Sequence, residues 1–225
     1  MKVNVVKNVL RANDIVAQEN RSVFKDKGVL ALNLISSPGS GKTTLLEKTL
    51  PVLSPDKSIV LVGDLETTRD AERVAPHALN ATQINTGLSC HLYANQIAQS
   101  LSALPLDDAQ YLFIENVGNM VCPGEFDLGE NLKIILLSVP EGDDKVAKYP
   151  TIFRVADLIL LTKCELLDIL PFDVQRVKED LAKLNSNTTL LPFSSFKGDG
   201  MDVWIDWLKQ KRQESIGAQA KFVTE

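Results

Sequence analysis

The sequence predicts an α/β fold, with a mostly parallel, helix-flanked sheet and an N-terminal helical extension. Three observations carry this. Apolar runs of strand length alternate with runs of helical spacing through most of the 225 residues. Several strand runs, among them Ile134-Ile135-Leu136-Leu137 and Leu158-Ile159-Leu160-Leu161, are apolar at every position, as strands buried on both faces require. A glycine-bearing loop, Ser36-Ser37-Pro38-Gly39-Ser40-Gly41-Lys42-Thr43, joins the first strand run to a helix-forming run.

Taken in order, residues 5–24 carry Val6, Val9, Leu10, Ile15, Val16 and Val23 at mixed helical spacing among charges, which reads as one or two amphipathic helices. Strands are predicted at 29–35, 58–63, 80–85, 110–115, 131–139, 157–162 and 188–193. Helices are predicted at 42–50, 68–75, 90–101, 172–184 and 201–211. From Gln213 to Glu225 apolar periodicity is lost, so a flexible tail is expected. The chain thus divides into an extension (1–27), a P-loop domain (28–212) and a tail (213–225).

Bulk properties exclude several function classes. Apolar content of 44% and charged content of 24% are those of an ordinary globular chain. A net charge of −5 without a Lys/Arg block argues against nucleic-acid binding. No run approaches the ~20 apolar residues that span a bilayer, so no membrane role is expected. Three cysteines and no signal-like N-terminus predict a cytoplasmic protein without a disulfide framework.

The loop at 36–43 is placed to cradle phosphates and identifies the fold as a P-loop NTPase. Gly39 and Gly41 let the backbone turn so that its N–H groups face phosphate oxygens, and the following helix aims its positive end at the same anion. Lys42 is assigned to the β- and γ-phosphates and Thr43 to Mg²⁺, with Pro38, Ser40 and Thr44 completing the cradle. Ser36 departs from the glycine that the strict pattern requires. Further Mg²⁺ and water-positioning groups belong at the carboxyl ends of parallel strands. Asp64, which ends the strand at 58–63 and is followed by Asp70, fits that placement. So does Glu115, with Gly118 permitting close backbone approach to the γ-phosphate. Lys42, Asp64, Asp70 and Glu115 are therefore the candidate catalytic residues; a helix cap for Asp64 and a solvated loop end for Glu115 are the plainer alternatives.

The base site should follow a later strand. Thr162-Lys163-Cys164-Glu165 stands where a guanine site commonly has Asn-Lys-x-Asp. Glu165 keeps two acceptor oxygens on a longer arm, whereas Thr162 lacks an amide. Ser195, Phe196 and Lys197 are placed to close over the base. Thiolate and imidazole at Cys90, His91 and Cys122 suit Zn²⁺ or Ni²⁺. One chain gives only three such ligands, so a four-ligand site needs water or a second subunit. Spacing alone favours two buried thiols and a capping histidine, with Cys90-His91 opening a helix. His77, after Pro76, reads as a surface residue.

Together these residues resemble a known series. Asn33–Thr44, Asp64–Arg73, Thr86–Leu92, Glu115–Pro123, Phe126–Glu130, Ser138–Lys145 and Lys148–Pro150 are similar to the motifs of the HypB family, hydrogenase nickel-incorporation GTPases of the SIMIBI class. Ser is common there at the place of Ser36. The resemblance implies binding of GTP/GDP, Mg²⁺ and Ni²⁺ or Zn²⁺, slow GTP hydrolysis, and a homodimer formed with nucleotide. It implies a HypA-like nickel-binding accessory protein docking at the N-terminal helix and a hydrogenase large-subunit precursor as client. It also implies that Cys90, His91 and Cys122 are metal ligands at the dimer interface, reversing the reading from spacing. The family's cysteine-rich N-terminal nickel motif and His-rich stretch have no counterpart, so no high-affinity N-terminal nickel site is expected. No arginine finger is evident beyond Arg69. A urease-type nickel GTPase lacks a match for its Cys-Pro-His motif; a P-loop small-metabolite kinase would predict an acceptor and no metal-dependent dimer; and a metal-binding module with a degenerate nucleotide site would predict metal binding indifferent to GTP.

Overall fold

The structure is a computed structural model that describes residues 4–53, 57–65 and 67–222. Glu66, residues 1–3 of the predicted extension and residues 223–225 of the predicted tail lie outside the described residues. Seven parallel strands form one sheet: β1 (Leu30–Ser36), β2 (Ser58–Asp64), β3 (Asn80–Asn85), β4 (Tyr111–Glu115), β5 (Leu132–Ser138), β6 (Leu158–Thr162) and β7 (Thr189–Phe193), in the order β3-β2-β4-β1-β5-β6-β7. β1 pairs with β4 on one side, Leu34 opposite Glu115, and with β5 on the other, Ser36 opposite Leu136. The strand order therefore reverses direction beside β1. Parallel register brings Ser36, Asp64, Glu115, Ser138 and Thr162 to one carboxyl edge, where such sheets bind ligands.

Period-two alternation assigns the two faces. Leu30, Leu32 and Leu34 with Val60, Val62 and Phe113 pack under α2 (Lys42–Leu53), α3 (Arg69–Val74) and α8 (Met201–Phe222). Trp204 of α8 is fully buried there, and its indole N–H donates to Thr49 Oγ1 at 2.9 Å. On the other face, α1 (Asn4–Asp26) and α4 (Ala94–Leu101) cover β1, β2 and β4 through Phe24 and Ile97. Three more helices, α5 (Lys145–Lys148), α6 (Pro150–Arg154) and α7 (Val174–Leu184), cover β5 and β6 through Val146, Phe153, Val177 and Leu181.

The helix at the N-terminus is a single one, and its inward face differs from the predicted one. Asn13, Ala17, Asn20 and Phe24 are buried at i, i+4, i+7 and i+11, whereas Ile15 is exposed. The two asparagines spend their polarity on backbone. Asn13 Oδ1 accepts the Ala94 N–H (2.9 Å) at the start of α4, and its Nδ2 donates to Asp127 O (2.8 Å). Asn20 Nδ2 donates to Ala94 O and Leu128 O, both at 2.9 Å. Arg21 forks onto both Asp127 oxygens at 2.7 and 2.8 Å.

Two other expectations are corrected. α8 continues to Phe222, past the point where a flexible tail was expected at Gln213, because Gln, Glu, Ala and Lys favour helix without any apolar stripe. Cys90 and His91 do not open a helix; they lie in the loop before α4, which starts at Ala94 with a capping box between Tyr93 and Gln96. Both α5 and α6 are too short to leave a helical period in the sequence.

Candidate nucleotide and metal site

The loop between β1 and α2 borders a cavity of about 480 Å³ whose walls include Pro38, Gly39, Gly41, Lys42, Thr43 and Thr44. Gly39 and Gly41 have φ of +75° and +98°, the left-handed region that favours glycine. Gly118 serves another need: a Cβ there would stand 3.0 Å from Pro38 Cα and N, so the loop after β4 lies directly on the phosphate loop. Ser36 also has a purpose that a glycine could not serve. It is fully buried, and its Oγ accepts the Lys42 ammonium at 3.0 Å while donating to Ser37 O. Burial pulls the Lys42 pKa down, against Glu115, Asp70, Glu141 and Asp64, which favour its charge.

Glu115 ends β4 inside this cavity and is buried. Its Oε1 accepts the Thr43 hydroxyl at 2.8 Å, while its buried Oε2 has no partner. Burial pushes its pKa from 4.5 up to about 7, more than Lys42 and the Thr43 hydroxyl pull it down. A buried carboxylate with an unpartnered oxygen, beside a hydroxyl and two further carboxylates in the same cavity, fits a hard divalent cation such as Mg²⁺. Those carboxylates are Asp64 and Asp70. Asp64 also accepts from Leu65 N, Thr67 N and Thr67 Oγ1, so it caps the turn after β2 as well as facing the cavity. Burial works to raise its pKa, but those hydrogen bonds prevail and hold it low.

Arg73 was missed in the sequence. It borders the cavity, donates to Thr44 Oγ1 at 3.1 Å, and forks onto Glu47 at 2.6 and 3.0 Å. Its i, i+3 spacing from Asp70, to which it also donates, was the available signal. Another omission is Glu141, which accepts from Ser138 N, Ser138 Oγ and Ser40 Oγ and so ties the phosphate loop to the end of β5.

A second cavity of about 360 Å³ shares Gly41 and Thr44 with the first and is bounded by Thr162, Lys163, Glu165, Ser195 and Phe196. Lys48 joins them; Lys197 does not, and its N–H donates to Ser194 Oγ. Thr162 turns its hydroxyl to Ser40 O at 2.8 Å, and Lys163 Nζ reaches Gly39 O at 2.7 Å. Both therefore brace the phosphate loop. Glu165 Oε2 is buried without a partner, while Phe196 projects into solvent.

The Cys/His group lies at the same edge. Cys90 Sγ stands 2.9 Å from Cys122 Sγ and 3.6 Å from His91 Nδ1. The three ligand atoms all lie within 4.8 Å of one another. Two thiol sulfurs and an imidazole converging this closely suit Ni²⁺ or Zn²⁺. The thiols are not deeply buried, Cys90 being exposed, contrary to the reading from spacing. His91 is buried between two rings, Phe126 stacked at 4.0 Å and Tyr93 tilted at 4.3 Å. That burial lowers its pKa, and its Nε2 has no partner. Leu88, two residues before Cys90, and Val121, next to Cys122, are exposed. His77, half-exposed, stands outside it.

Comparison with known proteins matches these features to a family. A family model described as the nucleotide-binding domain of CobW/HypB/UreG matches residues 30–192. The chain is 43% identical over 224 residues to the hydrogenase/urease maturation factor HypB of Helicobacter hepaticus, covering 98% of this chain and 92% of that one. The chain belongs to the HypB family. The HypB of Escherichia coli is 47% identical over 206 residues, 91% of this chain and 71% of its own. A crystal structure of HypB from Helicobacter pylori in complex with nickel superposes with a TM-score of 0.86 at 42% identity, covering 90% of this chain and 96% of that one. HypB from Archaeoglobus fulgidus gives a TM-score of 0.84 at 39% identity, over 90% of this chain and all of that one. The fold shared with those HypB structures is the parallel sheet flanked by helices. Among the described residues no helix is long and apolar enough to cross a membrane.

Proposed function

We propose that this chain is a GTP-hydrolysing metallochaperone that delivers nickel during nickel–iron hydrogenase maturation. One observation carries the reading: the segment Glu115–Cys122 begins in the phosphate cavity and ends at the Cys/His group. Nucleotide and metal therefore act on the two ends of an eight-residue segment. The nickel complex of the Helicobacter pylori HypB supports the metal assignment.

In this reading the backbone of Gly39–Thr43 and the ammonium of Lys42 hold the β- and γ-phosphates. Thr43, Asp64, Asp70 and Glu115 would hold Mg²⁺, which supplies charge neutralisation at those phosphates. Lys163 and Phe196 flank the base, and Glu165 accepts from the N–H groups of guanine. Gly118 meets the γ-phosphate, and its loss on hydrolysis relaxes the segment that carries Cys122. Two chains joined at Leu88 and Val121 bring six donors to one interface, so nucleotide state sets both dimerisation and hold on the metal. A HypA-like nickel-binding protein docks on α1, and the hydrogenase large-subunit precursor receives the ion.

Ni²⁺ and Zn²⁺ affinity and oligomeric mass, measured with GDP, a GTP analogue and ATP in wild type and Cys122→Ala, test this. The expected result is a metal affinity and a mass that change with the GTP analogue, and a Cys122→Ala chain that loses the metal response. Metal affinity and mass that stay the same with every nucleotide sink the reading. A urease client is a second reading, favoured by the Helicobacter hepaticus relative being named a hydrogenase/urease maturation factor.

A further inference from the structure

We propose that the Asn116 carboxamide is the positioning residue through which the nucleotide loop sets the backbone of the metal loop. The proposal rests on the function proposed above. Asn116 follows Glu115 at the end of β4 and is buried. Its Oδ1 accepts two backbone N–H groups, Val117 at 3.0 Å and Leu92 at 3.1 Å. Val117 precedes Gly118, which lies on Pro38 of the phosphate loop. Leu92 follows His91. One side-chain oxygen thus joins the two loops. Its orientation is fixed, because an amide turned the other way would face both donors with its own N–H₂.

The other end of the amide is equally committed. Asn116 Nδ2 donates to Asn33 Oδ1 at 3.2 Å, and Asn33 Nδ2 donates to Glu130 Oε1 at 3.1 Å. Glu130 Oε2 accepts Leu128 N at 2.7 Å, and Lys133 pairs with Oε1. Asn33 and Glu130 are buried, so this chain of amides and carboxylate has no water to replace a broken link. Asn116 is therefore held from behind while its oxygen serves both loops. Movement of Val117–Gly118 towards or away from a γ-phosphate must either carry the Asn116 oxygen with it or break one of the two hydrogen bonds that meet there. Where both bonds hold, the Leu92 N–H follows and the backbone beside His91 moves. A second, more exposed link, Asn119 Nδ2 to Cys90 O at 3.3 Å, lies at the other end of the Cys90–Leu92 segment.

The test measures Ni²⁺ affinity with GDP and with a GTP analogue and reads the ratio. Wild type should show a ratio of at least about threefold. Asn116→Ala, which removes the shared acceptor, should bring the ratio to about one. Asn116→Asp, which keeps an acceptor oxygen at that place, should restore part of it, an outcome that general loosening of the core does not predict. Because Asn116→Ala leaves buried donors unpaired and could fail to fold, hydrogen exchange in the wild-type chain gives an independent reading. Protection of Leu92 and Val117 should change together between the GDP and GTP-analogue states. A wild-type ratio of one refutes the proposed function itself. A wild-type ratio above threefold that survives in Asn116→Ala, or exchange at Val117 that changes without Leu92, refutes the role of Asn116 alone.

Discussion

Replacing Glu115 with glutamine should remove a pH-dependent weakness of the nucleotide-free, metal-free protein. Burial raises the Glu115 pKa from 4.5 to about 7, so the folded chain binds the proton more tightly than the unfolded one. Between those values the folded state holds more protons, and stability falls as pH rises. A shift of that size corresponds to about 3 kcal/mol in full, most of which is lost between pH 5 and pH 8. Glu115 is 4% exposed, so solvent screening does little to reduce this. His91 acts in the opposite sense, because burial lowers its pKa and its contribution grows as pH rises towards 6.5. Asp64 and Asp127, held low by their hydrogen bonds, lend stability above about pH 4 and lose it below. The difference between wild type and Glu115→Gln cancels these other groups. Glutamine keeps the acceptor for the Thr43 hydroxyl without the charge. Thermal melting should therefore show the variant gaining on wild type by about 5–10 °C between pH 5 and pH 8. A difference that is flat with pH, or wild type gaining on the variant as pH rises, refutes the reasoning.

Thr162→Val removes the hydroxyl bond to Ser40 O, so affinity for GTP and ATP should fall together, about five- to tenfold by fluorescent-nucleotide titration; a loss confined to GTP would assign Thr162 to the base instead. Phe126→Ala removes the ring stacked on His91 and should weaken Ni²⁺ binding about three- to tenfold by calorimetry. Asn20→Ala removes the buried donor shared by Ala94 O and Leu128 O, and should cost about 1–2 kcal/mol in urea unfolding. Arg21→Ala should cost only about 0.5–1 kcal/mol, since Arg21 and Asp127 are 40% and 34% exposed. The reverse order would mean that the ion pair, not the asparagine, fastens α1.

The inner strands were legible because a buried parallel strand writes itself as an apolar run, and all of β1–β7, the more exposed edge strands β3 and β7 included, lie within two residues of their predicted ends. The phosphate loop was legible because its chemistry is local, with all its groups inside Ser36–Thr44. Ser36 looked like a defect only because the strict pattern does not show that its hydroxyl accepts the Lys42 ammonium six residues on. The buried face of α1 was misread because two of its four positions are asparagines, whose partners at Ala94, Asp127 and Leu128 are distant in sequence. Cys90, His91 and Cys122 came as ligands from the family resemblance, and spacing alone missed them for a similar reason. Cys122 follows Cys90 by 32 positions, and parallel pairing of β3 and β4 on either side of β2 is what brings their loops to one edge. Asn116 carried no signal at all, since an amide shared between two loops looks like any loop asparagine.

The fastening of α1 has a consequence for how the chain is made. Arg21 meets Asp127 across 106 residues of sequence, and Asn13 meets the Asp127 carbonyl across 114. At ordinary rates of synthesis, roughly 5–20 residues per second, α1 leaves the ribosome roughly 5–20 s before that loop exists. During that interval Asn13 lacks the Asp127 carbonyl, Asn20 the Leu128 carbonyl and Arg21 its carboxylate. Helix α1 thus precedes its fastening partners by about a hundred residues, and its polar contacts close only when the residues after β4 emerge.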